Sequence, residues 1–292
     1  AAYWVLTANR LQAGLDKWAA EWRARGYELG WSKEAVAGFP FAFRVMLADA
    51  SIARGNSYRV TVPEISGTAA PWDLSRWRLA APRGGSGTVQ GVDATITAQS
   101  LSGDIVLGAD ANDLSVSVLR LAGAGAAAGE LAARLSLPRI APRGHGDLGL
   151  AASMRLFHLT LPKPVKALGD TIENFAVDFR IMGGLPPGDW RAALAAWRDD
   201  GGTVELTQSD LQWGALRLEA DGTLALDGDM QPIAALRASI VDHAALLDAA
   251  VAAGMLSSRN AVLVKLVLDV IASRGADGQT RLAAPVTVQD GK

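Results

Sequence analysis

Alternation of apolar and polar residues with a period of two is the feature that most constrains the fold of this chain. It is clearest at residues 174–181, where Phe175, Val177, Phe179 and Ile181 alternate with polar or small residues. Because successive side chains of a β-strand point to opposite faces of a sheet, this stretch places its large apolar groups on one face. The same period predicts further strands at 39–47, 114–118, 131–137, 203–207, 211–219, 222–227, 233–241 and 281–289.

Short glycine-containing turns separate these stretches. They include Arg54-Gly55-Asn56, the segment 83–87, Asp221-Gly222 and Asp227-Gly228. Since such turns join neighbouring antiparallel strands whereas parallel strands need long crossovers, the middle of the chain is predicted to be an antiparallel meander.

Helical periodicity occurs at both ends of the sequence. Residues from about 3 to 25 carry apolar side chains at steps of three and four, and Gly26 is placed to end that helix. Later patterns predict a helix after Trp190, one capped by Asp242, and one over 259–273 capped by Ser257 or Ser258.

The 259–273 helix is apolar around most of its circumference, with only Lys265 and Asp269 at an outer edge. At about 15 residues it is too short to span a bilayer, so it must be enclosed by protein or lie against an apolar partner.

Apolar surface of this extent has two interpretations: the second layer of a closed sandwich, or a groove for a hydrophobic ligand. The candidate groove lining consists of Phe39, Phe41, Phe43, Val45, Leu47, Phe175, Val177, Phe179, Ile181, Leu263, Leu266, Val267 and Ile271.

Composition argues against the chemistry of most other classes. The charge is −2, from 28 basic and 30 acidic residues, and no basic cluster favours nucleic acid. Cysteine is absent and the three histidines are isolated in sequence, so we expect no metal, no cofactor and no catalytic residues. The glycine-rich stretch 122–129 lacks the acidic residue of a dinucleotide site and is interpreted as a linker or a hairpin corner.

The length of 292 residues is compatible with one elongated domain over 1–292 or with two related halves, 1–150 and 151–292. The second possibility arises because Trp22 to Gly26 resembles Trp197 to Gly201, and each is followed by a predicted strand. Any corner between a helix, a glycine and a strand would look similar.

Three stretches resemble an uncharacterised family of Gram-negative envelope proteins, domain of unknown function 2125. They are Trp18 to Gly26, the strand start Gly38-Phe39-Pro40-Phe41, and the closing pattern from Trp213 to Leu224. The closing pattern is also similar to the C-terminal part of AsmA-like proteins, which are implicated in lipid transport between membranes. The resemblance implies a periplasmic protein anchored to the inner membrane by a segment that precedes this sequence.

We therefore expect an α+β protein in which an elongated, twisted antiparallel sheet wraps the N-terminal and C-terminal helices, as in tubular lipid-binding or AsmA-like proteins. The expected function is noncatalytic binding or transfer of a lipid-like molecule. The alternative is an envelope scaffold whose apolar face binds a protein partner.

Overall fold

The computed structural model describes residues 2–91, 94–186, 190–275 and 278–288. The chain is mostly antiparallel sheet, at 57%, with four helices at 20% among the described residues, which confirms the α+β class. It divides into two compact units, Ala1–Arg134 and Leu135–Lys292. One elongated domain over 1–292 and two related halves, 1–150 and 151–292, both stay predictions.

Unit 1 consists of one helix followed by strands that pair antiparallel. The elements are α1 (Ala2–Ala24), β1 (Glu28–Gly30), β2 (Lys33–Ala37), β3 (Phe43–Arg54), β4 (Tyr58–Ala70), β5 (Asp73–Ala81), β6 (Gly85–Val89), β7 (Ile96–Ala98), β8 (Ser100–Leu107), β9 (Ala111–Gly123) and β10 (Ala126–Pro138), the last of which continues into unit 2. Ala124 and Gly125, with φ of 54° and 77°, form the turn between β9 and β10. The glycine-rich stretch is therefore a hairpin corner.

The first helix packs on the start of β3 through aromatic stacking. The Trp4 and Phe43 rings lie 5.3 Å apart at an angle of 15°, and the Trp4 indole donates a hydrogen bond to the Ala42 carbonyl at 3.0 Å. Phe43 is fully buried, which makes it the largest completely enclosed side chain among the described residues. The predicted helix over about 3–25 is thus confirmed, and its apolar stripe contributes to the core of unit 1.

The strand predicted to start at residue 39 starts at Phe43 instead. Residues 39–42 form a turn in which Gly38 has φ of 103° and the Ala42 amide donates to the Gly38 carbonyl at 2.8 Å. Pro40 lacks an amide hydrogen and cannot donate to a ladder. Phe39 and Phe41 are therefore 57% and 76% exposed rather than lying on a strand face, and their predicted place in the strand is wrong.

Unit 2 contains the longest strands of the chain. Its elements are β11 (Leu148–Val165), β12 (Gly169–Met182), α2 (Trp190–Asp199), β13 (Thr203–Trp213), β14 (Leu216–Leu226), β15 (Pro232–Val241), α3 (His243–Ala252), α4 (Ser258–Ile271), β16 (Ser273–Arg274) and β17 (Thr280–Val288). The order of pairing is β11, β12, β13, β14, β15 and β17, with every pair antiparallel. This is the predicted meander.

One strand prediction and one turn prediction in unit 2 are wrong. The predicted strand 211–219 is split by a hairpin turn at Gly214, which has φ of 53°. Conversely, Gly222 lies inside β14 and not in a turn. A Cβ there would lie 2.3 Å from the Ala235 carbonyl oxygen of β15, so glycine permits a close approach between these strands. The turn at Asp227-Gly228 is confirmed, since the Asp227 amide donates to the Gln231 carbonyl at 2.9 Å.

The helix caps follow the prediction only in part. Ser257 caps α4 by accepting a hydrogen bond from the Asn260 amide, as predicted. Asp242 precedes α3 with φ of 54° and makes no side-chain cap, so the capping role predicted for it is wrong. In this left-handed conformation the residue marks the sharp turn from β15 into the helix.

Three helices end in the same glycine motif. At the ends of α1, α2 and α3, a glycine with positive φ (Gly26, Gly201 or Gly254) donates to the carbonyl three residues back. The next amide donates to the carbonyl five residues back in each case. Because α3 shares this geometry without a strand directly after it, the likeness of the Trp22 and Trp197 corners reflects a general helix end and does not distinguish a duplication.

Candidate functional site

One face of the unit 2 sheet is apolar across all six strands. The residues opposite one another run Leu156, Phe175, Leu211, Leu218, Ile240 and Leu282, in strand order. Directly opposed residues in antiparallel strands project from the same face. These six side chains therefore form one continuous row perpendicular to the strands.

Three further rows extend this surface along the strands. The registers place Met154, Ala152 and Leu150 beside Val177, Phe179 and Ile181, and continue across the remaining strands. Ser209 is the only residue with a polar side chain in the four rows. We call this surface the unit 2 apolar face. Its members are Leu150, Ala152, Met154, Leu156, Phe175, Val177, Phe179, Ile181, Val204, Leu206, Ser209, Leu211, Leu218, Ala220, Gly222, Leu224, Ala234, Leu236, Ala238, Ile240, Leu282, Ala284, Val286 and Val288.

The side chains of this face are not sealed. Ala234 is its one fully buried member, and the large residues on β11 to β15 are all half-buried. Across the described residues only twelve apolar residues are fully buried, and eight of those are alanines. In a closed sandwich the large inward-facing side chains would be the buried ones. The large side chains of the unit 2 apolar face therefore remain partly in contact with water.

The face is long enough to accommodate an extended acyl chain. Five inter-strand spacings give a width of about 24 Å, and six residue steps along β11 give a length of about 20 Å. One leaflet of a bilayer core is about 15 Å thick. An acyl chain that fills one leaflet would thus fit on this surface in an extended form.

An open cleft of about 640 Å³ lies at one end of the face. Leu150 and Ile181 belong both to the face and to this cleft, which Leu137 and Leu185 also line. Arg143 and Asp200 are the charged residues that line the cleft. The cleft therefore offers an apolar floor continuous with the face and polar groups beside it, as a ligand with a polar end would require.

Helix α2 is held at this end by a buried tryptophan. The Trp197 indole donates to the Met182 carbonyl at 2.7 Å, at the end of β12. A Cβ at Gly202 would lie 2.2 Å from the Trp197 ring, so only glycine allows the ring to lie there. Trp197 fixes α2, and with it the Asp200 side of the cleft.

The opposite face of the same sheet is polar. Arg155 forms two hydrogen bonds of 2.9 Å with the Asp178 carboxylate, and Arg281 forms bonds of 3.1 and 3.2 Å with Glu219. The bonds to Asp178 raise the pKa of the Arg155 guanidinium, against the effect of burial. The sheet is thus amphipathic, with ion pairs on one side and the apolar face on the other.

The structure separates the predicted lining into three groups. Phe175, Val177, Phe179 and Ile181 lie together on the unit 2 apolar face. Leu263, Leu266, Val267 and Ile271 lie on α4, which packs on α3, and they are exposed. The remaining predicted residues belong to unit 1.

Of the unit 1 group, Phe43, Val45 and Leu47 share one sheet face. Val45 lies opposite Val36 in a row that continues through Gly67, Leu79, Gly103 and Val116. Phe43 is enclosed and thus unavailable as lining, and Phe39 and Phe41 lie in the turn. Unit 1 therefore has an apolar sheet face of its own, to which two predicted residues contribute as half-buried side chains.

Glu34 lies on this unit 1 face, opposite Leu47. Burial raises the pKa of its carboxyl above the ordinary value, and the nearby Asp16 carboxylate raises the pKa further. A hydrogen bond from Trp31 acts in the other direction. An acid in apolar surroundings favours its neutral form.

Most residues of the unit 2 apolar face were missed as site residues. Apart from Ser209 and Ala220, those on β13, β14, β15 and β17 lie in predicted strands, but the periodicity of each strand does not show which faces coincide. The register settles this, and register depends on turn positions such as Gly214 that the alternation conceals.

Two further kinds of feature, metal sites and membrane-spanning helices, were also sought among the described residues. The described residues contain no group of three His, Asp or Glu side chains able to hold a metal ion. Within those same residues, no helix has both the length and the hydropathy needed to cross a bilayer.

The comparisons with known proteins identify a family. Neither curated proteins nor solved structures give a significant match. The family model described as "Uncharacterized protein conserved in bacteria (DUF2125)" matches residues 4–292, almost the whole chain. The chain therefore belongs to this uncharacterised bacterial family, domain of unknown function 2125.

Proposed function

We propose that this protein binds or transfers a lipid-like hydrophobic molecule without catalysis. The single observation that carries the proposal is the half-buried state of the large residues on the unit 2 apolar face. Soluble proteins seldom leave a contiguous apolar surface of several hundred Å² in contact with water unless something binds there. The ligand would lie along the strands, with its polar end at the cleft beside Arg143 and Asp200.

The energetics are adequate for reversible binding. Removing about 300 Å² of apolar surface from water contributes about 7 kcal/mol. Lost translational and rotational freedom costs at least about 4 kcal/mol of this. The balance of about 3 kcal/mol corresponds to weak binding, and electrostatic attraction between the cleft and a polar end of the ligand would add to it. We therefore expect affinities that permit both loading and release.

The proposal for the cellular setting is based on the family resemblance alone. We propose a periplasmic protein that an N-terminal segment anchors to the inner membrane, and the similarity of the 213–224 pattern to AsmA-like proteins supports transport as the purpose of binding. An elongated sheet that wraps its helices would suit this role. An envelope scaffold, with a protein partner on the apolar face, is the alternative.

Native mass spectrometry of protein purified without detergent tests the proposal. The wild type should retain lipid, and Leu218→Asp should lose it because a carboxylate would then lie on an inner strand of the apolar face. Thr223→Asp is the matched control, since Thr223 is exposed on the same strand but on the polar side. It should retain lipid as the wild type does.

Two results would overturn the proposal. One is a wild type that carries no lipid and takes none up from vesicles. The other is retention of lipid by Leu218→Asp at the wild-type level. If the lipid-free wild type instead gains mass with concentration in light scattering, the scaffold is the better account.

A further inference from the structure

Helix α4 presents an unusually apolar stripe to solvent. Val262, Leu263, Leu266, Val267 and Val270 are 59–80% exposed, and no residue of the helix is fully buried. At 100° per residue these five positions span one side of the helix, whereas Ala261 and Leu268 lie on the other side and are half-buried. The helix therefore packs with its less apolar side and exposes its more apolar one.

A contact between Asp269 and a buried histidine fixes this orientation. Asp269 Oδ1 lies 2.9 Å from Nε2 of His243, which is 2% exposed at the start of α3. Helix α4 also packs along α3 and begins at the Ser257 cap. Rotating the stripe inward would break the contact between His243 and Asp269, so the exposed stripe is a property of the folded unit.

The charge around the stripe is positive. Between residues 255 and 275 the described chain carries Arg259, Lys265 and Arg274 against the single carboxylate of Asp269, which is engaged with His243. All three cations are exposed. The whole chain has a charge of −2, so the α4 segment is more basic than the chain as a whole. An anionic surface is the complementary partner.

The area of the stripe is too small for a stable dimer. Fourteen residues make a helix of about 21 Å, and one side of a helix about 10 Å wide covers about 200 Å². A stable protein interface needs about 800 Å² from each partner. A bilayer surface has no such minimum, because one amphipathic helix is enough to hold a protein reversibly at the interface.

We propose that α4 docks in the plane of an anionic phospholipid bilayer, with its exposed stripe among the acyl chains and its cations at the headgroups. This surface is separate from the unit 2 apolar face and does not depend on the proposed function. It would bring unit 2 to a membrane surface. The aliphatic side chains supply the buried area, and the cations supply the preference for negative lipids.

Co-sedimentation of the chain 1–292 with vesicles tests this proposal. We expect binding to vesicles of equal parts phosphatidylglycerol and phosphatidylcholine, and weaker binding to phosphatidylcholine alone. The variant Leu266→Ser with Val270→Ser should reduce the partition coefficient at least tenfold. Both side chains project into solvent, so circular dichroism should show unchanged folding.

Two control variants distinguish docking through α4 from nonspecific hydrophobic adsorption to vesicles. The variant Ile140→Ser with Val165→Ser removes exposed apolar residues of unit 2 outside α4 and should bind as the wild type does. The variant Arg259→Gln with Lys265→Gln should lose about fivefold or more on anionic vesicles. Its loss should shrink as salt rises, since salt screens exposed charges.

The proposal is overturned if the wild type does not bind anionic vesicles, or if the α4 serine variant binds them as strongly as the wild type. It is also overturned if the wild type self-associates in analytical ultracentrifugation and the serine variant abolishes that association, because a second copy would then cover the stripe. If Leu218→Asp loses bound lipid but still binds vesicles, lipid binding by the apolar face and membrane docking by α4 are independent properties.

Discussion

A pair of phenylalanines distinguishes an accessible apolar face from a sealed core. Phe43 is fully buried beneath Trp4, whereas Phe179 is half-buried on the unit 2 apolar face. Truncation of an enclosed phenylalanine costs about 3–5 kcal/mol, and loss of the stacked ring adds about 1 kcal/mol. We therefore expect Phe43→Ala to lower the free energy of unfolding by about 5 kcal/mol.

Phe179→Ala should cost much less. Complete burial of such a side chain is worth about 3 kcal/mol at most, and part of the Phe179 ring already contacts water. We expect a loss of about 2 kcal/mol. Phe179→Asp should add no more than about 1 kcal/mol to that loss, because a carboxylate on an accessible face keeps its hydration, whereas an unpaired charge in a closed core costs several kcal/mol.

Urea unfolding followed by circular dichroism measures all three values. The linear extrapolation gives each free energy, and an unchanged slope would indicate that the unfolded states are comparable. The reasoning fails if Phe179→Asp prevents unit 2 from folding, or if Phe179→Ala is as damaging as Phe43→Ala. Either outcome would mean that the face is enclosed in solution.

Three further substitutions test other features. Glu34→Gln should flatten the fall in stability that begins as pH rises above 4.5, because a carboxyl whose pKa is raised by folding binds more protons in the folded state; urea titrations across pH measure this. Gly202→Ala should cost about 3 kcal/mol in urea unfolding, since its Cβ overlaps Trp197. Asp269→Ala should cost about 1–3 kcal/mol and speed amide hydrogen exchange in α4, since it leaves the buried His243 unpaired.

Each of these has a control or a contrary outcome. Gly228→Ala, at a site with open space, should stay within about 0.5 kcal/mol of the wild type, and a Gly202→Ala variant of equal stability would contradict the packing of Trp197. A Glu34→Gln variant with the same pH profile as the wild type would mean that Glu34 is solvated. Unchanged exchange in Asp269→Ala would mean that the contact with His243 does not hold α4.

Much of the fold could be predicted because local signals agree with it. The spacing of Trp4, Ala8 and Leu11 predicts α1, Gly26 predicts its end, and Ser257 predicts the start of α4. These depend on neighbouring residues alone. Predictions fail where a residue's environment depends on a strand distant in sequence. Gly222 was predicted to lie in a turn, but it is a glycine because the β15 backbone leaves no room for a Cβ.

The candidate site was predictable only strand by strand. Alternation in 174–181 correctly groups Phe175 with Ile181, but the partner rows follow from register, which the sequence does not display. Phe39 and Phe41 continue the alternation of β3 without joining it, because the turn at Gly38 and Pro40 interrupts the ladder. Periodicity also cannot distinguish an enclosed apolar helix from an exposed one, and α4 is the exposed kind.

The scarcity of large buried side chains has a thermodynamic consequence. The heat capacity change of unfolding arises mainly from apolar surface that becomes newly hydrated. Surface that is already hydrated in the native state contributes nothing to it. Unfolding of the ligand-free protein should thus show a heat capacity increment below the usual value of about 12–15 cal/mol/K per residue, and a correspondingly shallow curve of stability against temperature. An acyl chain that occupied the face would restore the missing increment and deepen that curve.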